Sequence, residues 1–294
     1  MNKIKIITDS CSDLPKDLRE KYDIDYAKMN TVYNGKETPA SLDWEYYSPK
    51  EFYDIMRGGE RFTTTQVPME EFRRVFEKYV AEGCDIVYVG CSLRLSSSVN
   101  TGIMVAKELA EEYPEREIYC VNSKCSCWGE GALAIRAAEY RDQGLSAKEI
   151  AERIEKECNT MNQFATVDNL NALKRAGRVK ASAAFFGNLF NVKPILISDA
   201  LGNNFAVKKV KGRKNSMLEL VKMAKEAAEG VEDQTVYVVH ADCEEDLNFL
   251  VDEVRKEIPC KEIRTGYIGP IIGASIGPGA VAIYVFGKEI VVEG

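Results

Sequence analysis

Hydroxyl side chains crowd three short stretches of this chain, Thr8-Asp9-Ser10-Cys11-Ser12-Asp13, Thr63-Thr64-Thr65-Gln66 and Ser92-Leu93-Arg94-Leu95-Ser96-Ser97-Ser98. Hydroxyls and backbone amides donate hydrogen bonds to a carboxylate or phosphate, so their chemistry is that of holding an anion. The first and third stretches directly follow apolar runs, and Asn122-Ser123 follows another. Ligands of open α/β sheets bind beyond the carboxyl ends of the strands, where serines meet the free amides of helix starts. Any one such loop is explained by turn and cap chemistry alone. Their joint occurrence, in a chain with a single histidine, points to binding rather than bond cleavage.

Other constellations carry less. Gly273-Ala274-Ser275-Ile276-Gly277 matches the Gly-x-Ser-x-Gly pattern of a hydrolase nucleophile elbow, which needs a strand, a sharp turn and then a helix. Here Pro278-Gly279 and a strand-like run follow, so the helix is missing. His240 ends the run Val236-Tyr237-Val238-Val239 and is the sole histidine available to such a serine. A serine hydrolase using Ser275 and His240 is therefore the alternative, not the leading reading. Cys125-Ser126-Cys127 lacks the two-residue spacer of thioredoxin-like motifs and reads as structural. Gly129 and Gly131 lack both a third glycine and a Walker lysine, so no nucleotide site is legible. Lys208, Lys209, Lys211, Arg213 and Lys214 form a basic run that is either solvated surface or a dock for an acidic partner.

The elements that must position these residues are short β-branched runs separated by amphipathic helices. Residues 4–8, 86–90 and 118–121 read as strands of a parallel sheet covered by helices. Ser48-Pro49-Lys50-Glu51 and Ser146-Ala147-Lys148-Glu149 have capping-box spacing and mark helix starts. In the second half, 164–167, 194–198, 205–210, 235–240, 263–267 and 281–286 are strand candidates, and Asp199-Ala200-Leu201-Gly202-Asn203-Asn204 reads as a hairpin turn. That hairpin makes part of the second sheet antiparallel. The expected architecture is a two-domain α/β chain: residues 1–158 with a parallel sheet flanked by helices and the Ser/Thr loops, and residues 159–294 with a mixed sheet.

At 294 residues the chain can bury a full core without staples. A net charge of -7, from 46 acidic and 39 basic residues, argues against a nucleic-acid footprint. Nine cysteines without a repeating spacing argue against a disulfide framework or a zinc site, so neither metal nor cofactor is expected. The amino terminus lacks a signal-peptide pattern, and a cytoplasmic protein with reduced thiols is expected. Residues 265–287 lack charge but contain six glycines and two prolines. Such broken backbone does not cross lipid, and two buried strands around a Gly-Pro turn are expected instead.

Taken as an ordered set, these segments resemble the DegV family, whose members include the FakB fatty-acid carriers. Ile7-Thr8-Asp9-Ser10-Cys11-Ser12-Asp13-Leu14 is similar to the family's opening signature. Thr64-Thr65-Gln66 resembles its Thr-Ser-Gln segment, with Val67 where proline is usual, and Ser92 to Ser98 resembles its Ser-Ser-x-Leu-Ser-Gly-Thr loop. Leu173-Lys174-Arg175-Ala176-Gly177-Arg178-Val179 and Gly187-Asn188-Leu189-Phe190-Asn191-Val192-Lys193-Pro194-Ile195 resemble two further family segments. The family's His-x-Gly-Pro-Gly reads Ser275-Ile276-Gly277-Pro278-Gly279 here. Lys211 stands where arginine is common, with Arg213 nearby.

The resemblance implies a non-catalytic carrier that holds a long-chain fatty acid between two domains, carboxylate at the polar loops and tail in an apolar tunnel. In the FakB system a separate fatty acid kinase phosphorylates the bound carboxylate. Thr64, Thr65, Ser92, Ser96 and Ser275 become the expected head-group contacts. Leu95, Phe185, Phe186, Leu189 and Phe190 become tunnel candidates, and Arg178, Lys211 and Arg213 candidates for docking the kinase. An uncharged tunnel supplies affinity at about 0.8 kcal/mol per buried methylene. Ser275 donates a hydrogen bond but carries no charge, which weakens the case for kinase coupling more than that for lipid binding.

Overall fold

In a computed structural model, described for residues 3–168, 172, 175–180 and 191–294, the chain divides into two compact units. Residues 1–46 and 63–158 make the first, and residues 47–62 and 159–294 the second. The sequence expectation runs the first domain unbroken through residue 158, whereas residues 47–62 group with the second unit. Their apolar side chains explain the grouping. Phe52 and Tyr53 are fully buried, the Tyr53 hydroxyl donates to the Ile268 carbonyl at 2.6 Å, and the Tyr47, Phe52 and Phe62 rings stack together.

The first unit is built on β1 (Lys3–Asp9), β2 (Ile24–Ala27), β3 (Asn30–Tyr33), β4 (Lys36–Pro39), β5 (Thr63–Thr65), β6 (Cys84–Gly90) and β7 (Ile118–Asn122). A four-stranded sheet in the order β2-β1-β6-β7 is parallel throughout, as the β-branched runs and intervening helices imply. Every residue of β6 is buried, as expected of a strand covered on both faces. β1 and β6 lie side by side, so the loops leaving their carboxyl ends are neighbours. β3, β4 and β5 form a separate antiparallel sheet. Asn34 and Gly35, both at positive φ, turn β3 into β4, which is the Asn-Gly hairpin signal in plain sequence.

The second unit carries β8 (Met161–Thr166), β9 (Val179–Lys180), β10 (Val192–Ser198), β11 (Asn204–Lys211), β12 (Thr235–His240), β13 (Glu262–Tyr267) and β14 (Val281–Phe286). They form one mixed sheet in the order β13-β12-β14-β8-β10-β11-β9. The predicted hairpin joins β10 and β11 antiparallel, with Asp199 Oδ1 accepting from the amides of Leu201 and Asn203 at 3.0 and 2.8 Å. Helices 213–227 and 244–257 cover this sheet through a core that includes Leu220, Val238, Leu250, Val254 and Ile283.

Residues 265–287 are not two strands around a turn. β13 and β14 bracket a short helix, Pro270–Ile276. Proline at its first position supplies a φ already fit for a helix, and Gly277 at φ 77° ends it. Among the described residues no helix is long and apolar enough to cross a membrane. The Ser146 capping box closes in both directions, and at Ser48 the hydroxyl accepts from the Glu51 amide at 3.2 Å.

Helix 128–142 packs against the opening loop of the first unit through Gly131, where an added Cβ would stand 2.6 Å from the Ser12 carbonyl oxygen and 2.8 Å from Leu14 Cδ2. Gly131→Ala is expected to lower the unfolding free energy by about 1–3 kcal/mol, measured as a fall in the urea midpoint at unchanged m-value.

Candidate functional site

The second and third hydroxyl stretches meet in the first unit. Thr64 pairs with Thr31 in the β3–β5 ladder, and the chain then turns through Gln66 and Val67 onto the start of helix 98–112. The Val67 amide donates to Ser98 Oγ at 3.1 Å, Ser98 Oγ shares a hydrogen bond with Ser96 Oγ at 2.9 Å, and Gln66 Nε2 donates to Thr101 Oγ1 at 2.9 Å. Thr64 and Ser96 are half-buried, while Ser92 and Ser98 are fully buried.

The loop is fixed from below. Asn122 Oδ1, at the end of β7, accepts from the Leu93 amide at 3.1 Å, and the Cys125 carbonyl accepts from the Ser92 amide at 2.8 Å. Ser92 returns the constraint, its carbonyl accepting from the Leu95 and Ser96 amides and its Oγ from the Arg94 amide. Helix 98–112 starts without a cap bond from the Ser97 side chain and without an acidic residue in its first turn, and its Ser98 amide donates to Ser96 Oγ at 3.3 Å. Helices 49–57, 69–81, 147–157 and 244–257 each place acid there. An acid at that position neutralises the positive end of a helix, so this start keeps its field for an outside anion.

Thr64 and Thr65 thus lie on the strand leading into the turn that meets this helix start, and Ser96 stands just before it, with Ser92 as the loop's anchor and Leu95 half-buried on the loop. Thr65 Oγ1 is diverted to Glu37 at 3.1 Å. Ser98, absent from the expected contacts, is the hydroxyl that ties the two stretches together. Its place in the Ser-Ser-x-Leu-Ser-Gly-Thr comparison, opposite a threonine, is the signal that could have found it.

The opening stretch does not join this group. Its hydroxyls are turned into the interior, where Ser10 Oγ donates to the Ala40 carbonyl at 2.7 Å and accepts from the Met29 amide at 3.0 Å. Asp9 caps the turn that follows by accepting from the Cys11 amide at 2.8 Å, and also accepts from Tyr88 Oη at 2.6 Å and the Cys91 amide at 3.1 Å. Burial raises the Asp9 pKa against these hydrogen bonds, which lower it. Cys125 and Cys127 are buried, and burial raises the Cys125 thiol far out of the range of a reactive thiolate.

In the second unit Ser275 is half-buried in the last turn of helix 270–276 rather than at a strand-to-helix turn, and it is not among the residues at positive φ. His240 is buried against Tyr267, ring centroids 4.4 Å apart, and its Nδ1 accepts from the Cys243 amide at 3.1 Å. A triad histidine donates from Nδ1 to its acid and accepts at Nε2; this one carries its proton at Nε2 and has the opposite polarity. The hydrolase geometry is missing at both residues.

Arg213 is spoken for: its guanidinium donates to Asp246 Oδ2 at 3.0 and 2.8 Å and to the Gly279 carbonyl at 2.6 Å. Lys211 and Arg178 are exposed, and Arg178 donates to the Ala176 carbonyl at 2.8 Å. The tunnel candidates Phe185, Phe186, Leu189 and Phe190 lie outside the described residues.

The model of a family described as an uncharacterised protein of the DegV family matches residues 3–288. A DegV domain-containing protein of Clostridium perfringens is 36% identical over 98% of each chain. A solved structure described as fatty acid binding of a DegV family protein from Thermus thermophilus superposes with a TM-score of 0.87 at 28% identity, covering 97% of this chain and 100% of that one. A DegV lipid binding protein from Thermotoga maritima does so at 0.86 and 26%, covering 98% and 99%.

Burial lowers the His240 pKa below the ordinary value of about 6.5. As pH falls through about 6.5 the unfolded chain takes up this proton before the folded one, so His240 contributes stability that is present above that pH and lost below it. Urea midpoints should drop between about pH 7.5 and about pH 5.5, and His240→Asn should show a smaller drop.

Proposed function

The chain belongs to the DegV family, and on that footing we propose that it binds and carries a long-chain fatty acid without acting on it. The observation that carries this reading is the meeting of the Thr64–Val67 turn and the Ser92–Ser98 loop at a helix start whose first turn carries no acid. A fatty carboxylate accepts hydrogen bonds from Thr64 Oγ1, Ser96 Oγ and the first-turn amides there, with Ser92 holding the loop in place. Relatives described as lipid and fatty acid binding, at 26% and 28% identity over nearly the whole chain, support the same ligand. Ser275 enters as a further head-group hydroxyl through the family resemblance alone, and Leu95 as a contact for the tail.

The finer part of the proposal is presentation of the carboxylate to a fatty acid kinase. The exposed Lys211 and Arg178 are its docking cations, and the engagement of Arg213 with Asp246 makes that residue a brace instead. With serine in place of the family histidine at 275, phosphorylation of the bound acid should run slowly and should quicken in Ser275→His, measured as acyl phosphate formed with kinase and ATP.

Native mass spectrometry of the purified protein, before and after addition of C16 and C18 acids, should reveal one bound acyl chain. Hydrogen bonds to a charged group contribute about 1.5–3 kcal/mol, so Thr64→Val and Ser96→Ala should each weaken binding roughly 10- to 150-fold. The same variants should leave binding of the corresponding fatty alcohol little changed. Absence of any acyl uptake, or covalent labelling of Ser275 by a fluorophosphonate, would refute the reading.

A further inference from the structure

Beneath the loops that leave β1 and β6 lies a second cluster that the binding site does not use. Cys11 Sγ, Cys91 Sγ and a carboxylate oxygen of Glu130 all lie within 4.8 Å of one another, and all three residues are buried. They come from three places in the fold: the turn after β1, the first residue beyond β6 and the opening turn of helix 128–142. Cysteine spacing in the sequence argues against a metal site because it registers only neighbours along the chain, and this grouping is made by two adjacent parallel strands and a helix.

Glu130 supplies an independent observation. Its Oε1 accepts from Thr8 Oγ1 at 2.9 Å, whereas its Oε2 is fully buried without a hydrogen-bond partner among the described residues. The described partners of Glu130 and Asp9 are Thr8, Tyr88, the Cys11 and Cys91 amides and each other's carboxyl, none of them a cation. A buried carboxyl keeps a proton, pairs with a cation or binds a metal. We propose that Cys11, Cys91 and Glu130 form a binding site for a thiophilic divalent cation, of which zinc is the type.

The ligand chemistry suits that ion. Zinc takes thiolate sulfur at about 2.3 Å and carboxylate oxygen at about 2.0–2.2 Å, so ligand atoms on one ion stand within about 4 Å of each other. Met29 Sδ, 3.7 Å from Cys11 Sγ, adds a soft neighbour to that ligand. Thr8, donating to Glu130, and the Cys91 amide, donating to Asp9, orient the groups around the ligands. Binding releases both thiol protons, and any proton on Glu130, to solvent while two zinc–sulfur bonds and one zinc–oxygen bond form. The ion would tie the turn after β1 to the residue directly before Ser92.

The test is to unfold the protein in guanidinium with chelator, refold it with one equivalent of zinc or cobalt or with chelator alone, and remove free metal by gel filtration. Elemental analysis should then give one zinc per chain, the cobalt form a thiolate-to-metal charge-transfer band, and the zinc form a higher Tm than the chelator form. Cys91→Ser and Glu130→Gln should lose the metal, and Cys260→Ser should keep it. If those two variants fail to refold, the unsubstituted chain decides alone. Refolded protein without stoichiometric metal or a charge-transfer band would overturn the proposal and leave a proton on the carboxyls as the occupant. Retention of metal by a folded Cys91→Ser would overturn it too. Lipid uptake is not read in this experiment, so the two proposals fail separately.

Discussion

Asp9 holds the first unit in register at the point where its chemistry begins. One of its oxygens caps the turn after β1, and the other accepts from Tyr88 and from the amide of Cys91. A single buried carboxylate therefore fastens the ends of two adjacent parallel strands and fixes where the chain emerges before Ser92. Tyr88 fills the space beside it, packing on Phe72 and Phe76, and a Cβ on Gly90 would collide with its hydroxyl oxygen at 2.2 Å and its ring at 2.4 Å. Loss of one hydrogen bond here would leave a polar group stranded in the core, which costs far more than the bond is worth in water.

That constraint sorts the three hydroxyl stretches into two kinds. The first is consumed in making the knot, with Ser10 sealing it onto Ala40 and Met29. Of the other two, the Ser92–Ser98 loop is placed by the knot and by Asn122 and the Thr63–Gln66 stretch by its pairing with β3, and they keep Ser96 and Thr64 half-buried, the loop leading into a helix start that no acid neutralises. Composition alone cannot separate them, because Ser and Thr serve turns, caps and ligands with the same atoms.

Much of the architecture is legible along the chain. The parallel sheet follows from β-branched runs alternating with amphipathic helices, and the β10–β11 hairpin from Asp199 to Asn204. The Asn34-Gly35 hairpin carried as clear a signal, but its strands are only four residues long and lack an apolar alternation. Helix 270–276 was hidden because glycine and small residues mask its periodicity, leaving Pro270 as the one marker of its start. Within the site, Thr64 and Ser96 stand out by type and spacing. Ser98 and the Cys11–Cys91–Glu130 grouping do not, since contacts made across strands and helices leave no periodic trace. Arg213 reads as a free cation in sequence and proves to be bound to Asp246, a partner 33 residues away.

The excursion of residues 47–62 into the second unit has a consequence for synthesis. Tyr53 leaves the ribosome 215 residues before the Ile268 carbonyl it will bind, a delay of about 10–40 s at about 5–20 residues per second. Through that interval Phe52, Tyr53 and Phe62 have no sheet of their own to enter, while the strands of the first unit on either side can already pair. The nascent chain thus extrudes an apolar loop from a nearly finished domain and must keep it from aggregation until the last strands arrive.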